Sequence, residues 1–491
     1  MELSNSVQSF KIERGKLARI IFSFSVMLLF ILLPPIAPIT AVGMDVVGVF
    51  LGTVLLLSLV DTVWPSLLCI PLFALTGVMT LNEAIIGSLG SWITAFVLMS
   101  FILTYALNST GFTARLTAYY MSRKFVNRSP WIFTVSLITL GMIVGLFLDP
   151  VPTVAFFMVF SNKIFKELGY KTTDRYPHMV TMALAFAINI AGGMTPISHP
   201  LAILGIGIYQ ATVGKTISLF TYMLYAVPTG LIIYACLLLV LRIFFKPDMS
   251  KFEHFDVRKV LDEVKPMALR EKITVGTFFT VVLLWVLPGI LTMVSPGSPV
   301  AGFLSKLGPT FPAIIAVVIL AMLEINNEPV LNLKEAFSKG MSWGVIFLVA
   351  AAILLGGAVT KETVGLTQFI VQNIVPLTQV LTPFLVVVLI VTITSVMTNF
   401  TSNVTSIVLM TGVGLSVAMG GTSVSPFGIA LATTFTGALA YMVPASFASI
   451  AVLYGEEYSH GNTIFKYGAI AVVITTVVVS FIGYPISLML Q

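Results

Sequence analysis

The chain has 491 residues, 57% hydrophobic and only 9% charged, with a mean hydropathy of +1.03; soluble globular proteins are far less apolar, so it reads as a polytopic membrane protein. The net charge of +6 and pI near 9.1 do not point to nucleic acid, because Lys and Arg gather in loops beside apolar runs, as membrane orientation requires. Cys69 and Cys236 sit singly in apolar runs and form no disulfide or metal pattern.

Lys11, Arg14, Lys16 and Arg19 precede an apolar run from Ile20 to Leu33. No small-residue cleavage site follows, so this reads as an uncleaved first helix and not as a signal peptide. Spans are expected at roughly 17–36, 42–60, 62–80, 91–108, 174–210, 219–244, 273–293, 309–325, 342–359, 424–455 and 466–489, about eleven crossings in all. Two further apolar stretches, 130–162 and 376–417, carry central polar or proline breaks and are expected to be re-entrant hairpins. With the N-terminus in the cytoplasm and the C-terminus outside, all of the 26 Lys and Arg residues except Lys215, Lys306 and Lys361 fall on the cytoplasmic side. The bacterial inner or plasma membrane is the expected location.

The polar stretch 246–272 reads as a cytoplasmic linker between two similar halves, 42–245 and 273–491, preceded by an N-terminal segment at 1–41. Ser91-Trp92 and Ser342-Trp343 open matching spans, Pro152-Thr153 and Val404-Thr405 lie at the expected hairpin turns, and Met194-Thr195-Pro196 and Met442-Val443-Pro444 break matching spans. Gly207 pairs with Gly455 in the same series. These features recur in order about 250 residues apart, and five crossings per copy place the second copy upside down. The fold class expected is therefore an all-α membrane protein with an inverted repeat, two re-entrant hairpins and broken fifth and tenth helices. Amphipathic segments 111–128 and 363–375 are expected as interfacial arms.

Thr398 to Ser406 concentrates polar residues between two apolar segments. Residues 383–397 and 407–417 are each read as too short to cross, so a hairpin turn at membrane depth is expected, with a binding role. Ser402, Asn403 and Thr405 offer hydroxyl, amide and backbone N–H groups to an anion, while Asn and Ser oxygens with freed carbonyls can instead hold Na⁺. Plain helix capping is the competing explanation. The break at Gly192-Gly193-Met194-Thr195-Pro196-Ile197-Ser198-His199-Pro200 frees backbone groups beside Thr195 and Ser198, and Pro444 with Ser446 occupy matching places in the other half. Thr153, Thr195, Pro196, Ser198, Pro444 and Ser446 join the candidate substrate contacts on this basis.

Asp149 and His199 are the notable ionisable residues at depth, where an ionisable group is functional by default. Asp149 ahead of Pro150 is equally a good helix cap, and His199 can be a satisfied interior histidine. No clustered nucleophile, base or metal set appears, so an enzyme is not expected and no cofactor is called for beyond a coupling ion.

These residues resemble the divalent anion:sodium symporter family, whose members carry a Ser-Asn-Thr turn in each of two opposed hairpins. Ser402 and Asn403 match that turn, Val404 replaces its Thr, and the Gly192-Gly193-Met194 break is similar to the family pattern. The first hairpin departs from it, with Asp149-Pro150-Val151-Pro152-Thr153 in place of Ser-Asn-Thr, and so do His199-Pro200-Leu201 and Phe447-Ala448-Ser449 after the breaks. The resemblance implies a homodimeric elevator transporter with a fixed scaffold (the first four spans and spans seven to nine), a small anionic substrate and a coupling cation. It implies substrate contacts at Ser402 and Asn403 and Na⁺ ligands at Thr398, Asn403 and Ala445, with Gly193, Asp149 and His199 in ion coupling. The expected function is secondary transport of a di- or tricarboxylate, or of a sulfate- or sulfonate-like anion, coupled to Na⁺ or H⁺ or working by exchange. The alternative is cation/proton antiport through Asp149 and His199.

Overall fold

The computed structural model describes residues 14–252, 266–373, 376, 381–420 and 422–491. The basic start with Lys11, linker residues 253–265, the end of the second arm (374–375) and residues 377–380 of the second hairpin segment lie outside the described residues. Among those described the chain is helical, apart from a two-stranded turn pairing Glu324–Ile325 with Glu328–Pro329. Asn326 and Asn327 take positive φ there, as a tight hairpin turn requires. The reading of 309–325 as one span overlooks that Asn-Asn signal, since the helix Thr310–Met322 stops before it.

Helix starts follow local chemistry. Ser129 and Thr382 open the two hairpins, accepting the N–H of Ile132 at 3.2 Å and of Leu385 at 3.3 Å. Each is followed by a proline at the first helical position, where a missing N–H costs nothing. The arms also begin alike: Gly111 (φ 77°) precedes Phe112–Met121 and Gly365 (φ 75°) precedes Leu366–Asn373, both in the left-handed region that glycine enters freely. A bidentate pair, Arg115 to Glu271 at 2.7 and 2.8 Å, ties the first arm to helix Leu269–Val294.

The first hairpin has arms Pro130–Gly145 and Pro150–Glu167, which pack on each other and on Arg175–Met194. The second has arms Pro383–Phe400 and Asn403–Met419, packed on each other and on Pro426–Gly437. The outer pieces of the broken spans then exchange partners. Leu201–Val213 lies on the second hairpin's returning arm, and Ala448–Gly455 on the first hairpin's. Around this unit, Ala41–Leu59, Val63–Leu75 and Trp343–Val359 pack in series, and Trp92–Ser109 packs on Thr310–Met322. Arg175–Met194 is 94% buried while Arg14–Leu32 and Leu269–Val294 are 11% and 17% buried, so the hairpin unit is the core and the latter helices present apolar side chains outward.

Two expectations about length are corrected. The first arm of the second hairpin runs to Phe400, 18 residues, and is by itself long and apolar enough to cross. Its hairpin character comes from the chain reversing at Thr401–Ser402 and packing back, not from shortness. Expected span 62–80 is instead helix Val63–Leu75 followed by the short Leu81–Gly87. A helix Pro299–Leu307, bent 70° from Thr310–Met322, was absent from the expected series. Among the described residues, eight helices are long and apolar enough to cross, or ten counting each bent pair as one.

Candidate functional site

The first hairpin turns at Leu146–Asp149, ahead of the expected Pro152-Thr153. Asp149 caps the returning helix, its Oδ1 accepting the Val151 N–H at 2.9 Å with Pro150 at the first helical position. Thr153 lies inside that helix, 2% exposed, and its hydroxyl donates to the Asp149 carbonyl at 2.7 Å. In the second hairpin Ser402 holds the equivalent capping position, and Thr405 lies a turn inside the helix. The two turns therefore align at Asp149 and Ser402, one residue away from the pairing that the sequence repeat suggests.

The first break folds onto the first turn. Thr195 donates to the Leu146 carbonyl at 2.6 Å, and the Tyr222 hydroxyl donates to the Gly193 carbonyl freed at the helix end at 2.7 Å. Gly192 sits so close that a Cβ there would come within 2.7 Å of Pro150 Cγ. His199 Nε2 lies 3.8 Å from Asp149 Oδ2, while His199 Nδ1 and Ser198 Oγ are buried and have no protein partner. Pro196, Ser198 and Asp149 line a chamber of about 20 Å³ with Ser100 and Thr104 of helix Trp92–Ser109.

The second break is tied down differently. The four successive carbonyls of Gly437, Ala438, Leu439 and Ala440 accept from Thr398 Oγ1 (2.5 Å), Asn403 Nδ2 (3.1 Å), Asn399 Nδ2 (3.3 Å) and Asn189 Nδ2 (3.2 Å). Asn399 Oδ1 accepts the N–H groups of Tyr441 and Met442 at 2.7 and 3.1 Å, and Thr398 also donates to Asn403 Oδ1 at 3.0 Å. These bonds satisfy the groups that a broken helix exposes at membrane depth. Ser446 donates within its own loop to Val443, and Pro444 and Ala445 are exposed.

Two contacts join the halves. Asn189 Oδ1 accepts from Ser449 at 2.6 Å, and the His199 ring meets Phe447 edge-on at 5.1 Å. The site residues expected from sequence thus form two linked clusters: Asp149, Gly193, Thr195, Ser198 and His199 in one, and Thr398 and Asn403 in the other. Ser402 is half-buried and its hydroxyl makes no capping bond, which removes the plain capping explanation for it. Thr405 reaches Ser58 of Ala41–Leu59 at 3.2 Å. Sequence reasoning missed Asn189, Asn399, Tyr222 and Ser449. A buried amide inside an apolar run was the available signal for both asparagines.

A family model described as citrate transporter, CitMHS, matches residues 53–436. The sodium-dependent dicarboxylate transporter SdcS of Staphylococcus saprophyticus is 24% identical over 224 residues, 43% of this chain and 41% of that protein, so the match spans less than half of either. An uncharacterized transporter of Haemophilus influenzae is 23% identical over 470 residues, covering 95% of this chain and 96% of the other. Among solved structures, the Alcanivorax borkumensis YdaH transporter shares the fold with a TM-score of 0.53 at 13% identity, over 83% of this chain and 86% of its own. The match covers well over half of the residues: this chain belongs to the citrate transporter family, CitMHS, and is a membrane transporter.

Proposed function

We propose that the chain is a secondary active transporter of a small di- or tricarboxylate, which it binds between the two hairpin tips and the two helix breaks. The observation that carries this reading is the meeting of four interrupted elements at one place, through Thr195 to Leu146, Asn403 to Ala438, Asn189 to Ala440 and Ser449, and His199 against Phe447. Backbone broken at membrane depth is tolerated where it is buried in protein or lines a cavity, and paired broken helices mark transporter sites. Ser402 and the N-terminus of Asn403–Met419 supply a free hydroxyl and N–H groups for a carboxylate. Thr195, Ser198 and Ser446 lie on the break loops around it. The coupling ion is Na⁺ or H⁺, with Asp149 and His199 as its residues; exchange is the third mode.

The halves form an inverted repeat in this reading, and the hairpins, broken spans, Leu219–Val240 and Gly461–Met489 carry substrate past the scaffold in an elevator motion, in a homodimer. The family description and the dicarboxylate relative favour carboxylates over sulfate or sulfonates. The test is a thermal-shift screen of mono-, di- and tricarboxylates, sulfate and sulfonates in Na⁺ and in choline, because a ligand of the folded form raises its apparent stability. Stabilisation by a di- or tricarboxylate is expected; stabilisation by sulfate or sulfonates alone would replace the substrate class.

Cation/proton antiport is the second reading and draws on the 3.8 Å approach of His199 to Asp149. An Asp149→Asn variant with undiminished carboxylate uptake would remove it.

A further inference from the structure

We infer that the chain has one site for a monovalent cation, and that two residues of the scaffold, Ser100 and Thr104, complete it. The inference rests on the transport reading above and goes beyond it by placing the cation on the surface between the scaffold and the hairpin unit. Ser100 and Thr104 stand one turn apart on Trp92–Ser109 and face Asp149 and Ser198 across the chamber of about 20 Å³. Ser100 Oγ and Ser198 Oγ are both shielded from solvent and have no protein partner, and Ser198 is only 5% exposed. A polar chamber of this size takes one water-sized particle.

Its chemistry selects the occupant. One carboxylate and three hydroxyl oxygens make an all-oxygen set with a single negative charge, which suits a bare monovalent cation. Mg²⁺ keeps several of its waters and would not fit.

The other half of the molecule argues for a single site. Thr398, Asn403, Asn399 and Asn189 already hold the carbonyls from Gly437 to Ala440, and Thr398 and Asn403 are bonded to each other. Neutral donors there perform the bracing that a cation would otherwise supply. At the first hairpin the oxygens are unspent. A cation at Asp149 also cancels the fixed charge that would oppose an anionic substrate entering the same region, which makes carboxylate binding depend on it.

The test is thermal unfolding of the purified full chain in NaCl, LiCl and KCl titrations, with choline chloride holding ionic strength, on the wild type and on Ser100→Ala and Thr398→Val. A rise in the wild-type midpoint with Na⁺ or Li⁺ is expected, with the half-saturating Na⁺ concentration raised about tenfold in Ser100→Ala and unchanged in Thr398→Val. Equal midpoints in all four salts, or an unmoved Na⁺ dependence in Ser100→Ala, would overturn the inference. A shifted dependence in Thr398→Val would move the cation to the second hairpin and overturn it too. Carboxylate uptake that proceeds without Na⁺ would leave the transport reading standing while this inference fails; absence of carboxylate flux under any gradient would fail the transport reading whatever Na⁺ binds.

Discussion

The side-chain oxygen of Asn399 accepts the backbone N–H of Tyr441 at 2.7 Å, joining the last turn of one hairpin arm to the broken stretch of a span about 40 residues later. The same amide reaches Met442 and the Leu439 carbonyl. Asn399→Ala strands two donors and an acceptor in a buried site, which costs on the order of 3 kcal/mol. A lowered unfolding midpoint with lost transport is expected in purified protein. A midpoint equal to wild type would show that the break is braced by something else.

Gly192 tests the contact between first break and first hairpin. Gly192→Ala places a methyl group within 2.7 Å of the Pro150 ring, and neither the helix nor the proline can yield freely. A loss of about 1–3 kcal/mol is expected from such overpacking. Gly412→Ala, where nothing lies within 4 Å, is the control and should unfold like wild type. Equal stability of both variants would mean that the two segments are looser than described.

Ser402 and Asn403 are adjacent and should fail differently. Ser402 has no side-chain capping bond, so Ser402→Ala should raise KM for the carboxylate about tenfold, the scale of one hydrogen bond to a charged group, without moving the unfolding midpoint. Asn403 is held by Thr398 and Ala438, so Asn403→Ala should lower the midpoint as well. Uptake titrations beside thermal unfolding separate the two; identical behaviour would return Ser402 to a structural role.

Asp174 precedes the first broken span outside the membrane segments. The Lys171 N–H at 2.9 Å, and then Lys251 at 3.0 Å, hold its carboxyl below the usual carboxylate range. Its contribution is therefore full above the unfolded value of about 3.9 and disappears as pH falls through the lower folded value. Unfolding midpoints of wild type and Asp174→Asn should differ by a constant amount from about pH 5 to 8 and converge below about pH 4. A difference that widens in acid would contradict this linkage.

Much of the architecture was legible because its signals are local. Ser-Pro and Thr-Pro starts, left-handed glycines before the arms and glycine–proline breaks can each be read from a few residues, and they stand at both hairpins, both arms and the first break. The alignment of the hairpin turns was not legible to the residue, because a repeat offset cannot show which residue caps a helix: Asp149 and Ser402 share that position, while Thr153 is spent on its own helix. The amides that brace the second break were hidden for a different reason. Asn189 and Asn399 lie far from Ala440 and Tyr441 in sequence, and only the packing of the hairpin on the broken span brings them together. The chamber behind Ser100 was hidden likewise, since one of its walls belongs to a span with no other polar signal of function.

The central claim is carboxylate transport through the paired site, and flux measures it most directly. Labelled citrate and succinate should enter proteoliposomes holding the purified full chain, saturably, under a Na⁺ gradient, a pH gradient or exchange with internal substrate, with uptake reduced in Ser402→Ala and Asn403→Ala. Uptake no greater than in protein-free liposomes under all three conditions, for every di- and tricarboxylate tried, would contradict the account.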